Sequence, residues 1–222
     1  MGKFIDLTTN DGARISAYRA DPAGTPKAGL VVVQEIFGVN HHIRSVADRY
    51  AAQGYLAVAP ALFDRVERGV ELGYDQAGRE HAFAILPRLA PEQSLADIAA
   101  AIAVAQEGGK VGLVGYCWGG TLAWLSAARV SGLAACVGYY GGHIAKAVGE
   151  TPKIPIMLHF GERDAHIPMS DVEAIRKAHP EVPVYDYPAD HGFNCDERAS
   201  YDKPSADLAL ERTLAFFAEH LA

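Results

Sequence analysis

Six apolar runs, at residues 30–33, 55–59, 111–114, 133–139, 154–159 and 182–187, recur along the chain with longer mixed stretches between them. A run that is apolar on both faces has to be covered on both sides, and helices between successive runs are what allow such strands to pair in parallel. The intervening pattern predicts helices at 43–53, 91–106, 118–129, 170–177 and 205–220. Pro91 suits a first helical turn, and Ala99-Ala100-Ala101 is strong helix-forming composition. Upstream, the alternating segments 4–8 and 13–18 flank Asn10-Asp11-Gly12, a hairpin-turn sequence that predicts an antiparallel edge. The expected fold class is therefore α/β: one doubly wound, mostly parallel sheet of about eight strands with an antiparallel N-terminal hairpin, a single domain over residues 1–222.

Charge narrows the partners. With 20 Lys and Arg against 27 Asp and Glu the formal net charge is -7, and no basic block interrupts the sequence. This argues against nucleic acid and against an anionic membrane surface, and leaves small molecules. Cys117, Cys136 and Cys195 are too few and too scattered for a disulfide framework, and none belongs to a Cys-x-x-Cys pair. A reducing, cytoplasmic setting is expected, since no signal-like N-terminus and no transmembrane-length apolar run is present. Apart from His41-His42 the nine histidines are isolated, so neither a metal nor a cofactor is expected from spacing.

Gly115-Tyr116-Cys117-Trp118-Gly119 follows directly on the run 111–114 and opens the helix expected at 118–129. Such a sharp strand-to-helix turn lifts its central residue to the mouth of a sheet, and the glycines two positions away remove side chains that would collide. A thiol there sits at a helix N-terminus, which favours thiolate. It still needs a base, and the base needs an orienting carboxylate. Asp164 lies just beyond the strand 154–159, and His191 lies in the loop after the last strand, in the chain order nucleophile, acid, histidine. Asp190, adjacent to His191, reads as a turn or capping residue. Asp186 reads as a surface residue and His159 as a satisfied core histidine, while His143 and His166 remain secondary candidates. A redox thiol with Cys136 or Cys195 as its resolving partner, or a non-catalytic binding protein on the same fold, are the readings from other classes.

Gln34-Glu35-Ile36-Phe37-Gly38, after the third strand, completes the pattern. In such a fold this loop supplies one oxyanion-hole N–H, here from Ile36, and Trp118 supplies the other. Together with Gly-Tyr-Cys-Trp-Gly-Gly, Gly161-Glu162-Arg163-Asp164 and His191-Gly192-Phe193, the loop makes the chain resemble, nearly end to end, the dienelactone hydrolase family of the α/β-hydrolase fold. The resemblance implies a triad of Cys117, Asp164 and His191, and a Glu35 that hydrogen-bonds the resting thiol. It implies that Arg79 grips a substrate carboxylate, with Phe37 and Phe83 beside the substrate. The family's serine after the histidine and its second arginine four residues beyond are here Gly192 and Cys195, and its tyrosine four residues after the first arginine is Phe83. Arg198 is the candidate to replace the missing charge, the alternative being an exposed loop arginine. The implied activity is cofactor-free hydrolysis of a carboxylic ester or lactone through a thioester, dienelactone being the favoured substrate and small activated esters the alternative. The chain is expected to be a monomer or a small homo-oligomer, and whether the loop 64–78 closes over the site is left open.

Overall fold

The computed structural model describes residues 2–222. β1 (Lys3–Thr8) and β2 (Arg14–Ala20) form the antiparallel hairpin, with Lys3 opposite Arg19 and Thr8 opposite Arg14. Its turn closes with the Thr9 N–H donating to Ala13 O at 2.9 Å, and Gly12 takes the left-handed φ of 83°. β2 then pairs antiparallel with β4 (Tyr55–Pro60). Beyond it β3 (Ala28–Val33), β5 (Val111–Tyr116), β6 (Ala135–Tyr139), β7 (Ile156–Gly161) and β8 (Val184–Tyr187) continue in parallel, in the spatial order β1-β2-β4-β3-β5-β6-β7-β8. The mostly parallel eight-stranded sheet read from the apolar runs is the sheet observed.

Helices cover both faces. On one side the backbone at Gly29 lies against Ala105 of α3 (Pro91–Ala105), which packs beside α4 (Trp118–Arg129). On the other, Gly112 lies against Phe217 and Leu221 of α6 (Lys203–Leu221), and Tyr55 of β4 touches both Phe217 and Tyr50 of α1 (His41–Ala52). Every residue of β3, β4, β5, β6 and β7 is buried, which is why those strands read as continuous apolar runs rather than alternations.

Two helices begin earlier than their apolar periodicity predicts, because polar caps start them. The Asn40 side chain accepts the Ile43 N–H at 3.2 Å and starts α1 at His41, and Asp202 accepts the Ser205 N–H at 2.9 Å and starts α6 at Lys203. α5 spans Met169–Ala178. One helix went unpredicted: α2 (Gln76–Ile85), capped by Asp75, buries only Gly78, Ala82 and Ile85 and so leaves a weak apolar stripe. The segment before it is pinned to the Glu35 loop by a bridge between Gly38 and Glu71 and by the Leu72 N–H donating to Phe37 O at 2.9 Å.

The chain leaves β3 through α1 to β4 on one side, then crosses back to β5 on the other. A crevice opens at the carboxyl ends of strands where the winding reverses in this way. The parallel register sets Val33 opposite Gly115, so Ile36 and Trp118 each lie three residues beyond a paired position.

Candidate active site

Cys117 occupies the turn between β5 and α4 with φ 55° and ψ -115°, left-handed backbone that a residue with a β-carbon seldom adopts. The turn is held by the Cys117 N–H donating to Tyr139 O at 2.9 Å and by the tightness around it. A β-carbon at Gly115 would lie 1.9 Å from Gly119 O, and one at Gly119 would lie 2.4 Å from Val33 O. Both glycines of the pentapeptide are thus required by close backbone approach, as expected.

His191 Nε2 lies 3.2 Å from Cys117 Sγ, and Nδ1 donates to Asp164 Oδ2 at 2.7 Å. The other carboxylate oxygen, Oδ1, accepts the N–H groups of His166 and Ile167 at 2.8 and 3.2 Å, so Asp164 is oriented by the turn after β7. Burial works against a charged His191, yet its bonds to Asp164 and Cys117 outweigh burial and raise the imidazole to about 10. The ring is flanked by Tyr140 at 5.1 Å and by His166 at 5.3 Å between centroids. Asp190 accepts the backbone N–H of His191 at 2.6 Å and caps that loop, leaving Asp164 as the carboxylate on the ring.

The neighbouring backbone offers donors. Neither the Ile36 nor the Trp118 N–H makes a hydrogen bond to another group among the described residues. The Trp118 indole is half-buried and stacks on Phe63 at 5.6 Å.

Glu35 departs from expectation. Its side chain is buried, but Oε1 accepts from Arg198 Nη1 at 3.4 Å while Cys117 Sγ turns to His191, so the bond from glutamate to resting thiol is not made. An ionic partner within reach satisfies a buried carboxylate better than a neutral thiol does. Arg198 is correspondingly not an exposed loop residue: its side chain is 21% exposed and lies over the ring of Tyr74.

Arg198, Arg79 and Phe37 line one open cavity of about 780 Å³. Arg79 is exposed and holds Tyr74 O at 2.8 Å rather than pairing with Glu80 or Glu71, which bond Gln76 and Arg44. Phe83 is a second correction. It is 62% exposed and does not line the cavity, because α2 turns Gly78, Ala82 and Ile85 inward and leaves Phe83 off that face.

The rival histidines and cysteines are accounted for. His159 is fully buried between Tyr187 Oη at 2.8 Å and Thr213 Oγ1 at 3.1 Å, and burial lowers it to about 3, a neutral core histidine. His143 is exposed, and Asp186 is half-buried and paired with Arg176 at 2.6 Å. All three cysteines are free; burial pushes Cys195 up to about 12 and raises Cys136 as well. The sequence reading missed Tyr140, whose φ of 37° and contact with His191 mark it as part of the site. Its only signal was its place one residue beyond β6, at the sheet's carboxyl edge.

A sequence model of the dienelactone hydrolase family matches residues 15–221. The chain belongs to the dienelactone hydrolase family. The carboxymethylenebutenolidases of Pseudomonas putida and Pseudomonas knackmussii are each 36% identical to it over 225 residues, covering 96% of this chain and 95% of theirs. A Klebsiella pneumoniae crystal structure, provisionally named a dienelactone hydrolase, superposes with a TM-score of 0.83 at 32% identity, covering 98% of this chain and 99% of that one. This dienelactone hydrolase family member is a hydrolase in the α/β-hydrolase fold, from a family that acts on small esters and lactones. No helix among its described residues is long and apolar enough to cross a membrane.

Proposed function

We propose that this enzyme hydrolyses a carboxylate-bearing lactone of the dienelactone class through a thioester on Cys117. The observation that carries this reading is the unbroken line from Asp164 through His191 to Cys117 Sγ, with bonds of 2.7 and 3.2 Å, at a left-handed turn beside two unpaired N–H groups.

Cys117 Sγ attacks the lactone carbonyl while His191 holds the thiol proton, and the oxyanion is received by the Ile36 and Trp118 N–H groups. Collapse of the tetrahedral adduct breaks the ring C–O bond and leaves the acyl group on sulfur; the leaving oxygen departs as an enolate that asks little of a general acid and then takes the thiol proton from His191, which frees the imidazole as a base. His191 then takes a proton from water, the water attacks the thioester, and Cys117 leaves. Asp164 keeps the imidazole in one tautomer and stabilises its charged form through both half-reactions. Arg79 and Arg198, on one cavity, supply the positive field for the substrate carboxylate, with Phe37 as apolar wall. The reaction runs without a cofactor, in the cytoplasm, in a single-domain protein that is a monomer or a small homo-oligomer.

A rate comparison on matched substrates tests the reading. The enzyme should turn over a dienelactone carboxylate with a kcat/KM at least tenfold above that of its methyl ester, and a trapped acyl group should be found by mass spectrometry on Cys117. Equal rates on both would leave a broad small-ester esterase instead.

A further inference from the structure

Behind the Glu35 loop lies a second cluster that the proposed hydrolysis does not use. Glu35, His42 and Cys195 each present one donor atom, and these atoms all lie within 4.8 Å of one another. The three residues are buried, at 0% exposure each. Two of the donors, Glu35 Oε2 and His42 Nε2, have no hydrogen-bond partner among the described residues, and the same is true of the nearby Tyr140 Oη. A buried carboxylate oxygen and a buried imidazole nitrogen left unsatisfied side by side cost far more than a typical hydrogen bond returns, so something is expected to lie between them.

We propose that Glu35, His42 and Cys195 form a buried three-donor binding site for a thiophilic divalent cation of the zinc class. The donor set is one thiolate, one imidazole and one carboxylate, the mixture that suits zinc better than calcium or magnesium. Each donor is held from behind. His42 Nδ1 lies 3.0 Å from Asp196 Oδ1, which fixes the proton on Nδ1 and aims the Nε2 lone pair into the cluster. The Cys195 backbone N–H donates to Gly192 O at 2.9 Å, which fixes the turn that carries the thiol. Glu35 uses Oε1 for Arg198, which leaves Oε2 for the metal and lets one carboxylate bridge cation and guanidinium. Zinc bonds of ~2.0–2.3 Å place neighbouring donors roughly 3.3–3.8 Å apart, so closing the site takes about an ångström of side-chain movement. The three residues come from the β3–α1 loop, the first turn of α1 and the loop after His191, and so leave no spacing signature in the sequence.

Occupancy would tie the loop carrying Ile36 to the loop carrying His191, and the bound cation would add its affinity to the stability of the fold. The test uses the full chain with Cys117→Ser, so that the nucleophile cannot serve as a ligand, and zinc or cobalt as the probe. One zinc per chain should remain after dialysis, the thermal midpoint should rise with zinc, and cobalt should give a thiolate-to-metal charge-transfer band. Cys195→Ser should abolish that band, and His42→Asn should weaken zinc binding at least tenfold. Asp196→Asn, at a partly exposed position that leaves the core untouched, should weaken it about tenfold. No retained zinc in the Cys117→Ser protein, or zinc held equally well by the Cys195→Ser, His42→Asn and Asp196→Asn proteins, would overturn the proposal and leave the cluster to buried water.

Discussion

Gly192 lies beneath the guanidinium of Arg198, so closely that a β-carbon at residue 192 would sit 2.5 Å from Nη1 and 2.7 Å from Cζ. The missing side chain beside His191 is the space that the arginine fills on its way to Glu35. Gly192→Ala should therefore act at a distance from its own position. It carries a φ of 77°, so the variant should lose about 1–2 kcal/mol of stability. More tellingly, it should displace Arg198 and lower kcat/KM for an anionic lactone roughly tenfold, as Arg198→Ala should, while a neutral ester is little affected. A Gly192→Ala enzyme with unchanged preference for the anion would show that Arg198 does not serve the substrate.

The triad should behave as one unit. Cys117→Ala should abolish hydrolysis with the fold intact, and Cys117→Ser should retain little activity, since an alcohol is harder to deprotonate than a thiol. His191→Ala should cost at least as much as Asp164→Asn, and neither should add much to Cys117→Ala in combination. Asp190→Asn should be mild, because its carboxylate bonds a backbone N–H and not the ring. Steady-state rates on a chromogenic ester read all of these; a crippled Asp190→Asn beside a healthy Asp164→Asn would reverse the assignment of the acid.

Arg79 is exposed on the wall of the same cavity as Arg198, with its guanidinium bonded to Tyr74 O. Arg79→Ala should damage turnover of a carboxylate substrate roughly ten- to hundredfold, the worth of a charge-assisted hydrogen bond of about 1.5–3 kcal/mol, and spare a neutral ester. Arg79→Lys should recover part of the loss, because an ammonium keeps the charge without the planar fork. Equal losses on both substrates would remove Arg79 from the binding role.

His159 gives the fold a defined acid sensitivity. Its folded value of about 3 lies below the ordinary histidine value of 6.5, so between these limits the unfolded chain binds a proton that the folded chain does not. Stability from the neutral ring is fully present above pH 6.5 and falls as the pH drops towards 3, by about 1.4 kcal/mol per pH unit for one proton. Urea titrations of wild type and His159→Gln at pH 7, 6 and 5 should show a slope shallower by one proton in the variant. Parallel slopes would mean that His159 takes up its proton as readily in the fold as in the unfolded chain.

Much of this was legible in the residues, for physical reasons that can be named. Strands buried on both faces show as uninterrupted apolar runs, and the elbow shows because Gly115 and Gly119 are the residue type its backbone contacts admit. Asp164 and His191 stand at strand ends, where a mostly parallel sheet displays its loops. What escaped depends on contacts across the fold. α2 was hidden because it buries only three of its residues. The partner of Glu35 could not be read because Arg198 reaches it from 163 positions away, through space that only Gly192 leaves open. The cluster of Glu35, His42 and Cys195 was invisible for the same reason.

Because Cys117, Asp164 and His191 follow β5, β7 and β8, their alignment is built from three successive parallel pairings rather than from any local segment. Such long-range pairings form slowly, each closing a connection of more than a dozen residues. A refolding chain can therefore regain helical content well before it regains hydrolysis. On the proposed mechanism, recovered turnover reports the moment when β8 docks, which makes catalytic rate the most demanding gauge of this molecule's assembly.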